Sequence, residues 1–179
     1  MGNYLDLQNQ KLKEVLLYIL GKTGDTGYFR LMKILFCADR QNLLQWGDPV
    51  TNLEYYAWKH GPVPMVVFDE LQAVYQNANS KFSDVLSVKS NFMIVHAIRK
   101  PNLDYLSETD KESIDKAINE LAGKNRGQIE EYLHESVYHR ILASDQKKYS
   151  HVDIVMSACA SEAQIAHVRY EDQLTNALA

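Results

Sequence analysis

The chain has 179 residues, 46% of them apolar and 23% charged, with a net charge of −4, which suits one hydrophobic core and excludes a wholly disordered polypeptide. The mildly acidic balance disfavours a dedicated nucleic-acid binder, which carries a basic footprint. Two cysteines, Cys37 and Cys159, are too few for a disulfide framework, no apolar window is long enough to span a membrane, and Met1 to Asp6 lack the basic cluster and apolar run of a leader, so a reduced, cytoplasmic setting is expected.

In chain order, Leu12, Val15, Leu16 and Ile19 mark one face of a helix over about residues 11–20, closed at Gly21. Leu31, Ile34, Leu35 and Ala38 repeat that spacing in a second helix over 28–44. Pro49 biases Asp48 away from helix and ends it. Leu53 to Trp58 is short, aromatic and extended. His60-Gly61-Pro62 reads as a turn, because Gly61 reaches backbone angles closed to other residues and Pro62 fixes φ. Pro64 then falls in the first turn of a third helix carrying Phe68, Leu71 and Tyr75.

The polar stretch 77–90 reads as a loop, and Phe92 to Ile98 as the best strand. Ser107 and Asp110 resemble a capping box before a helix with Ile114, Ala117, Ile118 and Leu121, stopped by Gly123. A short helix over 127–134, a polar linker over 144–150 and a long helical stretch over 152–178 follow. The pattern predicts an α+β fold, a predominantly helical single domain with a small antiparallel β-sheet. It divides into a helical domain over 1–145 and a C-terminal helical extension over 146–179.

The chemistry-bearing residues are sparse. Glu131-x-x-His134 has the spacing of a di-iron ligand pair, but the second copy such a site needs is missing. No metal and no cofactor are expected. Cys37, inside an apolar helix, reads as core, and Cys159, between two alanines, as helix packing. Gly21-x-x-Gly24-x-x-Gly27 lacks the lysine and the preceding strand of a phosphate loop, and no G-x-S-x-G occurs.

Asp39 lies late in its helix, where a carboxylate opposes the helix dipole. It is either solvated or held by a specific partner. Strand alternation puts Tyr56 and Trp58 on one side of the extended segment and Tyr55 and Ala57 on the other. One set can be core and the other a docking patch. No catalytic residue is assigned. The rival readings are a small hydrolase or transferase using Asp39, His60 and His134 as acid–base groups, and a phage-associated regulator, for which Lys124-x-Arg126 and Lys147-Lys148 are the candidate basic clusters.

Leu31-x-Lys33-Ile34-Leu35-Phe36-x-Ala38-Asp39 resembles the "lqKLLYfAd" helix of Panacea-domain proteins, the SocA-like antitoxin family. Tyr56 to Val63, followed by Phe68-x-x-Leu71, resembles that family's "GPV" segment and the helix after it. Leu106 to Asp110 and Leu133-His134-Glu135 resemble two later segments. The resemblance covers roughly residues 10–142. Cys37 departs from the family helix, and Tyr138 stands near a common tryptophan.

The resemblance implies an antitoxin-like binding protein that neutralises a co-encoded toxin by direct contact, with one type acting as a proteolytic adaptor. The implied partners are a cognate protein toxin and, for the adaptor type, a protease. No membrane or nucleic acid is implied, and self-association is left open. Lys33, Asp39, Gly61, Pro62, Val63 and His134 match the pattern. The partner surface is placed at Tyr56, Trp58, His60, Gly61, Pro62 and Val63, with Lys33, Asp39 and His134 as a structural motif.

Overall fold

The apolar face of Leu12, Val15, Leu16 and Ile19 is buried along α1 (Gly2–Thr23). In this computed structural model residues 2–89 and 91–178 are described. Met1 of the leader reading and Ser90 of the expected loop lie outside them. Gly21 does not end α1. The chain leaves at Gly24, whose φ of +70° is glycine territory and whose N–H reaches the Leu20 carbonyl at 2.8 Å.

After β1 (Thr26–Gly27), α2 (Tyr28–Trp46) closes at Gly47, in the left-handed conformation with its N–H on Leu43 O. Residues 31–40 of α2 are buried without a break. A helix buried all round is usually apolar all round, yet this run includes Lys33, Asp39 and Arg40. α2 is therefore the central element, and the rest of the chain wraps it.

The aromatic segment forms a hairpin of β2 (Tyr55–Trp58) and β3 (Gly61–Pro64), with Trp58 opposite Gly61. The turn is Lys59–His60, not His60–Pro62: Gly61 and Pro62 are already strand. Alternation along β2 holds, with Tyr55 and Ala57 buried, Tyr56 half-buried and Trp58 exposed. On its other side β2 is joined by residues 147–149, through Ala57 N–H to Lys147 O at 2.7 Å and Tyr149 N–H to Tyr55 O at 2.9 Å.

That pairing explains the two prolines. Ala57 and Tyr55, opposite Pro62 and Pro64, turn their main-chain groups towards 147–149 and away from β3. In an antiparallel ladder the nitrogens of Pro62 and Pro64 then point outward, where a missing N–H costs no ladder bond. Pro64 is the N-cap of α3 (Met65–Tyr75) and not a residue of its first turn.

The stretch read as a loop contains β4 (Leu86–Lys89), which pairs with β5 (Ile94–Ala97). β5 in turn pairs with β1, giving a three-stranded antiparallel sheet in the order β1-β5-β4. Beyond the 3₁₀ turn Leu103–Tyr105, α4 (Glu108–Leu121) opens with the expected reciprocal capping box of Ser107 and Asp110 and packs along α2. α5 (Arg126–Leu133) has a second box, from Asn125 and Gln128. α6 (Ser136–Leu142), absent from the sequence reading, starts where the Glu135 carboxylate accepts from the N–H groups of Val137 and Tyr138.

The expected long terminal helix is two: α7 (His151–Met156), opened by a Ser150–Asp153 box, and α8 (Glu162–Leu178). The break falls at residues 157–161, where the Ser157 hydroxyl turns back to Ile154 O and the Ser161 hydroxyl accepts from Gln164 N–H. Within 146–179, Tyr149, Ile154, Val155 and Val168 share one buried cluster with α1, α2 and α4. Phe36 meets both Tyr55 and Tyr149 edge-on, at 5.2 and 5.4 Å. The architecture is a predominantly helical α+β fold with two small antiparallel sheets. Among the described residues no helix is long and apolar enough to cross a membrane.

Tyr149→Ala is expected to cost about 3–5 kcal/mol, the range for emptying a large aromatic site in a core. Urea unfolding measured by circular dichroism would show it as a lower midpoint in one cooperative transition.

Candidate functional site

The hairpin is fastened from beneath by α2. Lys33, fully buried, donates from Nζ to the outward carbonyl of Pro62 at 2.7 Å and lies 5.0 Å over the Phe29 ring. Burial is the main influence on this ammonium, and it pulls the Lys33 pKa down to about 7. Gly61 sits directly above. Its φ is +92°, and a Cβ there would stand 3.3 Å from Lys33 Nζ and 3.7 Å from His134 Nε2. Glycine is required twice over, by conformation and by space.

Two further groups hold the hairpin. Tyr138 donates its hydroxyl to Trp58 O at 2.9 Å and stacks flat on His134, with centroids 4.1 Å apart. Tyr138 thus places a hydrogen-bond donor under the turn. Asp39 is 1% exposed. It accepts from Thr51 N–H at 2.8 Å, the Thr51 hydroxyl at 2.5 Å and the Tyr55 hydroxyl at 2.6 Å. Burial raises its pKa above the usual carboxylate range, and these bonds draw it back. Asp39 is therefore not solvated; its partners are the loop before β2 and the first residue of that strand.

A third buried charge, Arg40, pairs with Glu120 of α4 and reaches the Tyr132 hydroxyl of α5 at 3.1 Å and Ser157 Oγ at 3.5 Å. Cys37 beside it is buried, and burial pushes its thiol up to about 12, so no thiolate forms at neutral pH. Cys159 is exposed at a positive φ, outside any helix, and not packed within one.

Above the Lys33 anchor lies a groove of ≈ 210 Å³ between α2, the hairpin, α3 and the start of α5. Tyr28, Phe29, Trp58 and Phe68 wall it, Met32 and Val63 form its apolar floor, and Lys33, Lys59, His60 and Arg126 supply nitrogen donors. Trp58 and Phe68 meet edge-on at 5.4 Å, and Arg126 stacks 4.7 Å over Phe29. Trp58 remains 41% exposed.

Of the residues singled out from sequence, Lys33, Trp58, His60 and Val63 line this groove. Gly61, Pro62 and Val63 are buried, so Trp58, Lys59 and His60 make the accessible surface of the corner. Tyr56 lies outside the groove, with its hydroxyl on Glu54 at 3.1 Å. Asp39, His60 and His134 have separate surroundings: Asp39 accepts from Thr51 and Tyr55, His60 Nδ1 lies 3.2 Å from Glu130, and His134 stacks on the Tyr138 ring with its Nε2 buried and without a hydrogen bond among the described residues. Only His60 of the three borders the groove. Among the described residues no group of three or more His, Cys, Asp or Glu side chains is placed to hold a metal ion.

Phe29, Lys59 and Arg126 are groove residues that sequence reasoning did not single out. Arg126 appeared only within a basic cluster, and no local pattern links positions so far apart.

A family model described as antitoxin SocA-like, Panacea domain, matches residues 31–137. The matched span runs from Leu31 on α2 to Val137 on α6 and takes in the whole hairpin and its Lys33 anchor. No curated protein and no solved structure matches the chain.

Two outcomes test the anchor. Gly61→Ala should cost about 1–3 kcal/mol for forcing a side chain into this backbone conformation, read as a lowered urea midpoint. The folded Lys33 pKa, about 7, lies below the ordinary lysine value of 10.5. Between those values the unfolded chain holds a proton that the native chain lacks, so stability rises with pH across that window. Thermal melts from pH 7 to pH 9.5 should show wild type gaining on Lys33→Met, whereas a constant gap would refute the assignment.

Proposed function

The chain belongs to the antitoxin SocA-like, Panacea-domain family, and on that premise we propose that it neutralises a co-encoded protein toxin by direct contact through the face of the β2–β3 hairpin. One observation carries the placement. A tryptophan that keeps 41% of its surface exposed, Trp58, stands on a hairpin whose backbone is fixed by Lys33 below and Tyr138 beside it. Exposed aromatic residues on rigid backbone dominate binding energy, because little conformational freedom is lost when they are covered.

The charge balance fits the same reading. A chain of net charge −4 attracts a basic partner over long range, which speeds encounter more than it strengthens the final complex. Lys33, Asp39 and His134 serve by holding the platform, and Tyr56, Trp58 and His60 offer contact surface. Delivery of the bound toxin to a protease, in the cytoplasm, is a further step of the same proposal. It is read separately, as a shortened toxin half-life when the chain is present.

Co-expression with the neighbouring open reading frame is the direct test. The neighbour should arrest growth alone and be tolerated, and co-purify, with this chain. Trp58→Ala should weaken the complex by about thirtyfold, the equivalent of a 2 kcal/mol hot spot, with an unchanged melting temperature. A neighbour that is harmless alone and does not co-purify would remove the proposal.

A further inference from the structure

The groove beside Trp58 has a chemistry more specific than a generic docking patch. Its ≈ 210 Å³ falls below the roughly 300–1,000 Å³ of small-molecule sites, so it suits one large side chain and not a nucleotide or cofactor. Its walls are aromatic and its floor is apolar. A planar ring entering it would meet Trp58 and Phe68, already in the edge-to-face geometry that aromatic groups favour.

The mouth is cationic on a chain that is acidic overall. Lys59 is exposed, and its ammonium has no hydrogen bond or ion pair among the described residues. Arg126 bonds Glu130 through Nε at 2.9 Å, and its Cζ lies 4.7 Å over the Phe29 ring. Its two terminal nitrogens have no hydrogen-bond partner among the described residues. Among the described residues Glu130 is the one carboxylate at this rim, bonded to Arg126 and 3.2 Å from His60. Two exposed donor groups thus border an apolar slot.

We infer that the groove takes a single aromatic or long aliphatic side chain of an acidic segment of the partner, whose flanking carboxylates are held by Lys59 and Arg126. This rests on the docking role proposed for the hairpin and names the chemistry of what docks there. The guanidinium offers a planar fork to a carboxylate, and its stacking on Phe29 holds that fork in place. The ammonium of Lys59 adds a mobile point charge at the turn. An overall basic toxin can carry such a segment locally, so long-range attraction and this short-range selection act on different parts of the partner.

The test uses the full chain and three labelled peptides: tryptophan flanked by Asp and Glu, tryptophan flanked by lysines, and alanine flanked by Asp and Glu. Binding is read by fluorescence anisotropy and by the shift of the Trp58 indole N–H resonance. The acidic tryptophan peptide should bind tightest, shift that resonance, and lose about thirtyfold when its anchor is alanine, the size of a hot-spot truncation. Lys59→Glu and Arg126→Gln, both at exposed positions, should each weaken it by up to about fivefold with the melting temperature unchanged. Lys59→Glu should also narrow the gap to the lysine-flanked peptide.

Equal binding of the acidic and basic peptides, or indifference to both substitutions, would overturn the inference. So would displacement of the acidic peptide by a mononucleotide or an oligonucleotide. If the toxin is neutralised and co-purified unchanged by Lys59→Glu and Arg126→Gln together, the inference falls while the antitoxin reading stands. If the acidic peptide binds as described but no neighbouring product does, the groove assignment stands and the antitoxin reading falls.

Discussion

A charge taken out of water costs several kcal/mol unless a partner meets it, and α2 buries three within residues 33–40. Lys33 and Arg40, seven residues apart, leave one face of the helix about two turns from each other, and Asp39 leaves another. Each therefore dictates where one part of the chain must lie. Lys33 takes the carbonyl of Pro62, Asp39 takes Thr51 and Tyr55, and Arg40 takes Glu120, Tyr132 and Ser157. A purely apolar helix could be wrapped in many registers, whereas this one accepts a wrapping only where all three needs are met. The hairpin is fixed at both ends by this requirement, with Asp39 at the start of β2 and Lys33 beneath β3.

The same requirement relates the family match to the geometry. The matched span contains all three charged positions of α2 and the hairpin they hold. It also contains Tyr138's neighbour His134, whose ring closes the space around Gly61. Burial draws the His134 pKa down, so the ring sits beside the Lys33 ammonium without adding a second positive charge. The matched span thus holds the support of the hairpin, whose accessible corner is Trp58, Lys59 and His60.

Much of the helical part could be read from periodicity, because α1, α2 and α4 repeat apolar residues every three or four positions. The capping box at Ser107 was visible for the same reason: its two residues lie three apart and act locally. What failed was either short or non-local. β4 is four residues with one apolar face, too brief for alternation to register. The terminal helix pair looks continuous because small residues do not announce a break. The turn lies earlier, at Lys59–His60, because Gly61 and Pro62 belong here to an outer strand, with Pro62 and Pro64 at the positions whose nitrogens point away from β2. Asp39 carried a real signal, a carboxylate at the wrong end of a helix. Which groups satisfy it depends on a fold that brings residues 51 and 55 back over α2.

The proline positions of β3 also bear on how this molecule behaves in a crowded solution. A two-stranded ribbon rich in tyrosine and tryptophan is the kind of element that recruits identical ribbons and grows into stacked aggregates. Here Pro62 and Pro64 remove the outward donors, Lys33 occupies the outward carbonyl of Pro62, and residues 147–149 cover the opposite flank. Both flanks of the ribbon are thus blunted, which lowers its tendency to pair with another copy while the aromatic surface is uncovered.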